Sequence, residues 1–291
     1  MDDADEKFGD DSVWGSEADG NNSRKDPQDF QWAFGLNKIA LNMIGLWPRE
    51  SSREKLSCSR TLHVYLRIPL MILTMLLFMV APAIFALIKV IPDLLLVIEN
   101  LTCLFATITG TLKIFLLWYH QHALQSVLRD VEQDWILKNS PWEHQKMIKR
   151  ARWGRLFTIS GYSMMFGCAL AFLLAPELGL NWRTVNNITD PGMSTGRVLP
   201  IPSYFPYDFI TSPYYELTFT GQLLAAIFLA ICLSVPDNLF GALVFHASAQ
   251  CEILASNMSR LVDGVRFHET SDDNFQSRLR QVVDKHVYLI R

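Results

Sequence analysis

IPLMILTMLLFMVAPAIFALI, residues Ile68–Ile88, decides the fold: 21 consecutive residues carry no charged side chain. At 1.5 Å per residue a helix of that length measures about 32 Å, which matches the ~30 Å hydrocarbon core of a bilayer. Working outward from it, three more apolar blocks appear. Leu156–Ala175 is uncharged over 20 residues, Leu94–Tyr119 is interrupted by Glu99 and Lys113, and Leu217–Phe245 by Asp237. The expected spans are about 68–89, 94–119, 156–175 and 215–245, the last open to kinking or termination at Pro236 and Asp237. The fold class is all-α: a polytopic membrane helix bundle with four transmembrane helices. Half of the 291 residues are hydrophobic and only 19% charged, as such a bundle requires.

Basic residues set the orientation. Of 26 lysines and arginines, nine lie at or before Arg67, seven between the second and third spans, and six from Arg260 onward. Lys89, Arg183 and Arg197 fall on the other side, and Lys113 lies within a span. The 22-against-three split places both termini in the cytoplasm, because loops rich in Lys and Arg stay inside. None of the five cysteines falls in the outer loop 176–216, so no extracellular disulfide is expected.

Residues 1–29 carry ten acidic side chains among Gly, Ser and Asn. Such a segment buries too little to order itself, and a disordered cytoplasmic tail is expected there. The membrane domain then occupies 30–291. Leu36, Ile39, Ala40 and Met43 recur at helical spacing ahead of Gly45-Leu46-Trp47-Pro48, which reads as an interfacial helix, a cytosolic helix packed on the bundle, or both. Beyond Tyr119 the stripe Leu124, Val127, Leu128, Val131 and Trp135 continues span two as an amphipathic rod. Ser140-Pro141-Trp142-Glu143 starts a new helix, with Ser at the N-cap, Pro at the first position and Glu at the third. In the outer loop Asn187-Ile188-Thr189 is an acceptor for N-glycosylation. Phe275, Leu279, Val282, Val283, Val287 and Ile290 form a last helical stripe.

LPIPSYFPYD, Leu199–Asp208, leads through Ser212–Leu217 to Gln222 and carries the functional reading. Pro200, Pro202, Pro206 and Pro213 each fix φ and remove a donor, so neither a long helix nor a central strand fits. A rigid aromatic strap at the mouth of a membrane helix suits a lid over an apolar ligand; the plainer reading is a loop that caps the bundle. Tyr207, Tyr215, Phe219 and Gln222 are the candidate ligand contacts there, Gln222 because its amide needs a partner. Tyr162 and Phe166, on one face of span three with Ala169 and Leu173, are further candidates, with lipid contact or bundle packing as the alternative. Glu99 is an intramembrane charge near the outer end, whereas Lys113 lies close enough to the inner end to snorkel. His120 and His122 point to different faces and make no metal site, no cofactor is expected, and no enzyme motif is present.

Taken together, Gly45–Pro48, Pro206-Tyr207-Asp208, Ser212–Leu217 with Gln222, and the terminal Val283-Asp284-Lys285-His286-Val287-Tyr288-Leu289-Ile290 resemble the insect odorant receptor family over roughly 30–291. The resemblance implies an odorant-binding, or tuning, subunit of a ligand-gated cation channel in the plasma membrane. Its partners would be an odorant co-receptor subunit in a heterotetramer, a small apolar ligand and membrane lipid, with no nucleic acid. It further implies seven helices, with the odorant held between helices two, three, four and six under the second outer loop. The four spans here correspond to the first four, so the expectation is a truncated, non-conducting chain. A gustatory-type relative and a transporter fragment are the alternatives. A transporter fragment should show inverted repeats with matched helix breaks, and none is convincing.

Overall fold

The computed structural model describes residues 26–48, 58–136, 140–174, 199–201, 203–266 and 272–290. Residues 1–25 of the acidic tail, residues 175–198 with the glycosylation acceptor Asn187, and Pro202 lie outside the described residues. Among the described residues all regular structure is helical, as the apolar blocks require.

Helix α1 (Asp26–Ile44) begins inside the last four residues of the expected tail. Asp29 is tied to His144 at 3.0 Å, which gives that end of the tail a partner that composition could not reveal. Two apolar faces run along α1. Phe30, Phe34, Leu41 and Ile44 are buried against the bundle, while Trp32, Leu36, Ile39 and Met43 stay exposed. Gly45 ends the helix with φ 85°, a conformation that costs glycine no Cβ clash. Its amide and that of Leu46 both donate to the Leu41 carbonyl, at 2.8 and 2.9 Å, closing the helix C-terminus. The chain then folds back so that Trp47 packs 6.3 Å from Phe30.

The first span is one rod in three parts: α2 (Cys58–Met75), a π-helical turn (Leu76–Val80) and α3 (Ala81–Val90). Pro82 has no amide to donate backwards, and the widened turn just before it accommodates that loss. Asp93 starts α4 (Leu94–Tyr119): its Oδ1 accepts from the amides of Leu95 and Leu96 at 3.1 and 3.5 Å. After a break at His120, α5 (Gln121–Ile136) continues with Leu128, Val131 and Trp135 buried. This is the rod that the apolar stripe predicted.

α6 (Pro141–Leu174) starts where the Ser-Pro-x-Glu pattern placed it. The Ser140 amide donates to Glu143 Oε2 at 3.1 Å, but the Ser140 hydroxyl is buried without a partner, so only half of the capping box forms. α7 (Tyr214–Arg266) is a single helix of 53 residues, about 80 Å long, so it outruns the expected span 215–245 by 22 residues. Pro236 does not end it. α8 (Asp272–Ile290) packs back along the far end of α7.

α6 and α7 form the central antiparallel pair. Arg150 meets Glu252, Phe157 lies over Gly241, and Asn238 lies over Gly161. A Cβ on Gly161 or Gly241 would collide with those side chains, so the two glycines set how closely the helices approach. Around this pair Met75, Ile114, Trp135, Met147, Leu239 and Ile253 join one core. Among the described residues three helices are long and apolar enough to cross a membrane: Leu66–Val90, Leu94–Tyr119 and Tyr214–Asp263. The remaining expected span, 156–175, falls on the C-terminal part of α6.

Candidate ligand-binding site

One side chain anchors the start of the strap. Gln222 is fully buried on α7, and its amide is saturated by the strap backbone and a hydroxyl. Oε1 accepts from the Ile201 amide at 3.1 Å, while Nε2 donates to the Ile201 carbonyl at 3.3 Å and to Ser203 Oγ at 2.9 Å. A proline-rich segment cannot pair with itself as a helix or sheet does, so its polar groups need an outside partner, and Gln222 supplies it. The amide thus serves the strap, and its hydrogen-bonding capacity is used there.

Around that clamp the strap is packed on three sides. Leu199, Phe205 and Phe209 are buried together with Ile210, Tyr215 and Phe219 against them. Ile201 packs on Met79 and Ala225, with Phe78 beside them. Met79 and Phe78 come from the π-helical turn, which ties the first span to the strap. Tyr207 Oη lies 2.7 Å from Thr218 Oγ1. The Thr218 hydroxyl already donates to the Tyr214 carbonyl at 2.8 Å, so Tyr207 is the donor. Lys89 sits over the Tyr204 ring at 5.6 Å and closes the fourth corner. Tyr207, Tyr215, Phe219 and Gln222 therefore meet in one place.

Tyr162 and Phe166 belong to a second place. They line a groove of about 270 Å³ with Leu36, Ile39, Ala40 and Met43 of α1 and Ile231, Ser234 and Val235 of α7. Ser234 is 15 residues beyond Phe219 on the same helix, about 22 Å along its axis. The six candidates thus fall into two groups at different depths. Tyr162 also reaches α1 directly, donating to Asn37 Oδ1 at 3.3 Å, and buried Asn37 donates in turn to Thr158 Oγ1 at 3.5 Å.

Sequence reasoning missed the polar cluster at the other end of the bundle. Asp134 on α5 accepts from His246 on α7 at 3.1 Å and from Lys285 on α8 at 3.3 Å. Burial works against ionising Asp134, but the hydrogen bond to His246, the charge of Lys285 and the remaining contacts of both partners outweigh it and hold the carboxyl below its usual range. Nearby, burial first and then the negative charges of Asp134 and Asp130 push the Tyr288 hydroxyl up to about 12. Lys113, read as a snorkelling lysine, instead bonds both oxygens of Asp237 at 2.7 and 2.8 Å. One charge from each of two helices was visible in the sequence; their pairing over 124 residues was not.

The fold is a polytopic helical bundle with an aromatic strap clamped to the start of its longest helix. Residues 93–291 match the family model described as 7tm Odorant receptor. The chain belongs to the insect odorant receptor family, a receptor family and not an enzyme family. It is 26% identical over 142 residues to Odorant receptor 82a of Drosophila melanogaster, a match covering 47% of this chain and 34% of that protein. The fold resembles the olfactory receptor OR5 of Machilis hrabei at a TM-score of 0.64 and 15% identity, covering 91% of this chain and 64% of that one. The same receptor in complex with eugenol aligns at a TM-score of 0.69 and 16% identity, over the same shares. The chain thus spans about a third of the curated relative and under two thirds of the solved receptor. Family membership decides between the odorant branch and the gustatory-type or transporter readings.

Proposed function

We propose that the chain is the odorant-binding, tuning portion of a ligand-gated cation channel subunit in the plasma membrane, working beside an odorant co-receptor subunit. The observation that carries this reading is the strap clamped to Gln222 over Tyr215 and Phe219. It makes a stiff, aromatic roof with few polar groups, of the kind that holds small apolar ligands. The solved relative in complex with eugenol supports a ligand of that class. The termini face the cytoplasm in this reading, supported by the distribution of lysine and arginine. Asn187 would then carry a glycan outside.

Ion conduction needs a lining that satisfies ions. The described helices meet chiefly through apolar side chains, so residues 1–291 expressed as such beside a co-receptor should add no odorant-gated current. For a conducting receptor that contains this segment, the test is Tyr207→Ala, Tyr215→Ala and Phe219→Ala, each scored for odorant rank order and for surface expression. The expected result is a changed rank order at normal expression in at least one variant. An unchanged rank order in all three would move the ligand site away from the strap.

A further inference from the structure

The groove between α1, α6 and α7 differs from the strap site in depth, access and chemistry. Its α7 residues Ile231, Ser234 and Val235 lie 17 to 21 positions beyond Tyr214, about 26–32 Å into the helix. Measured from Tyr214 as the outer end, that depth lies on the inner-leaflet side of the hydrocarbon core. The groove is open sideways, since Ile39 and Met43 are 60% and 61% exposed and Phe166 is exposed as well. Through that lateral opening a lipid of the inner leaflet is already beside it.

The lining chemistry points the same way. Two hydroxyls border the groove, and both are engaged inside the protein. Tyr162 donates to Asn37 Oδ1, and Ser234 donates to the Ala230 carbonyl at 2.6 Å. An odorant bearing an alcohol or carbonyl would find no free donor to orient it, while an alkyl chain needs none. Two positive groups lie beside it: Arg67, whose Nη1 donates to the Met43 carbonyl at 3.0 Å, and Arg155 at the other end. Arg155, seven residues before Tyr162 and about 10 Å nearer the basic end, stacks on Trp32 at 4.9 Å. Its Nη1 donates to the Trp32 carbonyl at 2.7 Å, and guanidinium geometry leaves further N–H groups for a phosphate. A Trp and an Arg at the membrane–water border are where a headgroup lies.

We propose that this groove holds an acyl chain of an anionic inner-leaflet phospholipid, its headgroup at Arg155 and Trp32 and its chain along Met43, Tyr162 and Phe166. The assignment rests on the orientation given above but not on the strap as the odorant site. It makes α1 a lipid-contacting wall, fastened to α6 by the Asn37–Thr158 and Asn37–Tyr162 bonds.

The test reconstitutes the chain in phosphatidylcholine vesicles containing phosphatidylserine with a photoreactive group midway along one acyl chain, followed by peptide mapping of the cross-links. Labelling should concentrate on the α1, α6 and α7 segments that line the groove. It should fall several-fold in Ala40→Phe, which fills the groove. Met43→Gln, at an exposed position that leaves packing intact, should weaken it as well and serves if Ala40→Phe does not fold. Arg155→Gln should reduce the preference for phosphatidylserine over photoreactive phosphatidylcholine while leaving chain labelling in place. Labelling spread evenly over Ile98, Phe105 and Leu112 of α4 would show bulk lipid only and overturn the site. Displacement of the label by excess 1-octanol, with photoreactive octanol marking the same peptides, would overturn the lipid assignment in favour of a small-molecule site. Protease protection of the N-terminus, read in the same vesicles, separates a wrong orientation from an empty groove.

Discussion

α7 is fastened at two heights by opposite chemistry. At Gln222 a neutral amide makes three hydrogen bonds to a strap that has few partners of its own. At His246, 24 residues further on, the helix is held by a carboxylate flanked by an imidazole and an ammonium. The basic side chains mark that second height, while the first faces outward in the proposed orientation. Where the surroundings are apolar, a group that satisfies its neighbours without carrying charge avoids the desolvation that an ion pair must overcome. Where helices run on beyond the bilayer, ions become usable. The comparison predicts that removing either fastening loosens a different part of the molecule, and by different amounts.

The largest effect is expected at the charged fastening. Asp134→Ala leaves His246 and Lys285 facing each other without the carboxylate, and breaking a buried pair from one side costs about 3–5 kcal/mol. Thermal unfolding in detergent should show a clear drop, with α5 and α8 losing protection from hydrogen exchange first. Lys285→Ala should cost less, because Lys285 is 31% exposed whereas Asp134 is buried. If the two substitutions prove equal, the cluster is wetter than its geometry says, and the contrast between the two fastenings weakens.

Gln222→Leu comes next. It strands the Ile201 amide and leaves the Ile201 carbonyl and Ser203 Oγ only their bond to each other, and an unsatisfied buried group costs about 1–3 kcal/mol. Because strap residues can relax toward water, we expect about 2–3 kcal/mol in all, read mainly as faster proteolysis between Leu199 and Phe209. Gln222→Glu should recover only part of it, since a carboxylate can accept from Ile201 but cannot donate to Ser203. Unchanged proteolysis in Gln222→Leu would mean that the apolar packing of the strap and the Tyr207–Thr218 bond hold it without the amide.

These predictions also mark how far the sequence could be read. Apolar length exposed the Ile68–Ile88 span and, despite Glu99 and Lys113, the Leu94–Tyr119 span, because the bilayer acts on every residue of a helix in the same way. Helical period exposed α5 and the buried run Leu128, Val131, Trp135. The strap was legible from its prolines, and Gln222 from its position, though the partner turned out to be the strap backbone. What stayed hidden has one cause: Asp134–His246, Asn37–Thr158 and Lys113–Asp237 each join residues more than a hundred positions apart, and no local pattern says which polar groups will meet. The division of Tyr162 and Phe166 from the other four candidates was hidden for the same reason. It depends on the register of α6 against α7, which is set by close approach at Gly161 and Gly241.

Acid sharpens the contrast further. Asp134 ionises more readily in the folded protein than in the unfolded chain, so its contribution to stability is complete above the ordinary aspartate value of about 3.9 and is lost as pH falls through its lower folded value. The wild type should therefore lose stability progressively below about pH 4, with Asp134→Asn showing a shallower acid limb. The Gln222 amide does not titrate in this range, and its bonds should survive that change. An acid limb of the same slope in Asp134→Asn would assign the acid sensitivity to other carboxylates.

The smallest effect is expected at Lys113–Asp237, although it is the shortest ion pair of the fold among the described residues. Side-chain exposures of 35% and 60% leave both groups open to whatever surrounds the helices. Lys113 lies six residues before the end of α4, about 9 Å along the axis, within reach of the interface. In a wet setting such a pair contributes about 0–1 kcal/mol, less at high salt. Lys113→Met and Asp237→Asn should each shift unfolding by no more than that, and the double variant should sit near the additive sum. A double-mutant cycle with a coupling of several kcal/mol would mean that the pair is dry in the membrane. In that event charge would fasten α7 at membrane depth as well, and the division into a neutral and a charged fastening would no longer follow the border of the bilayer.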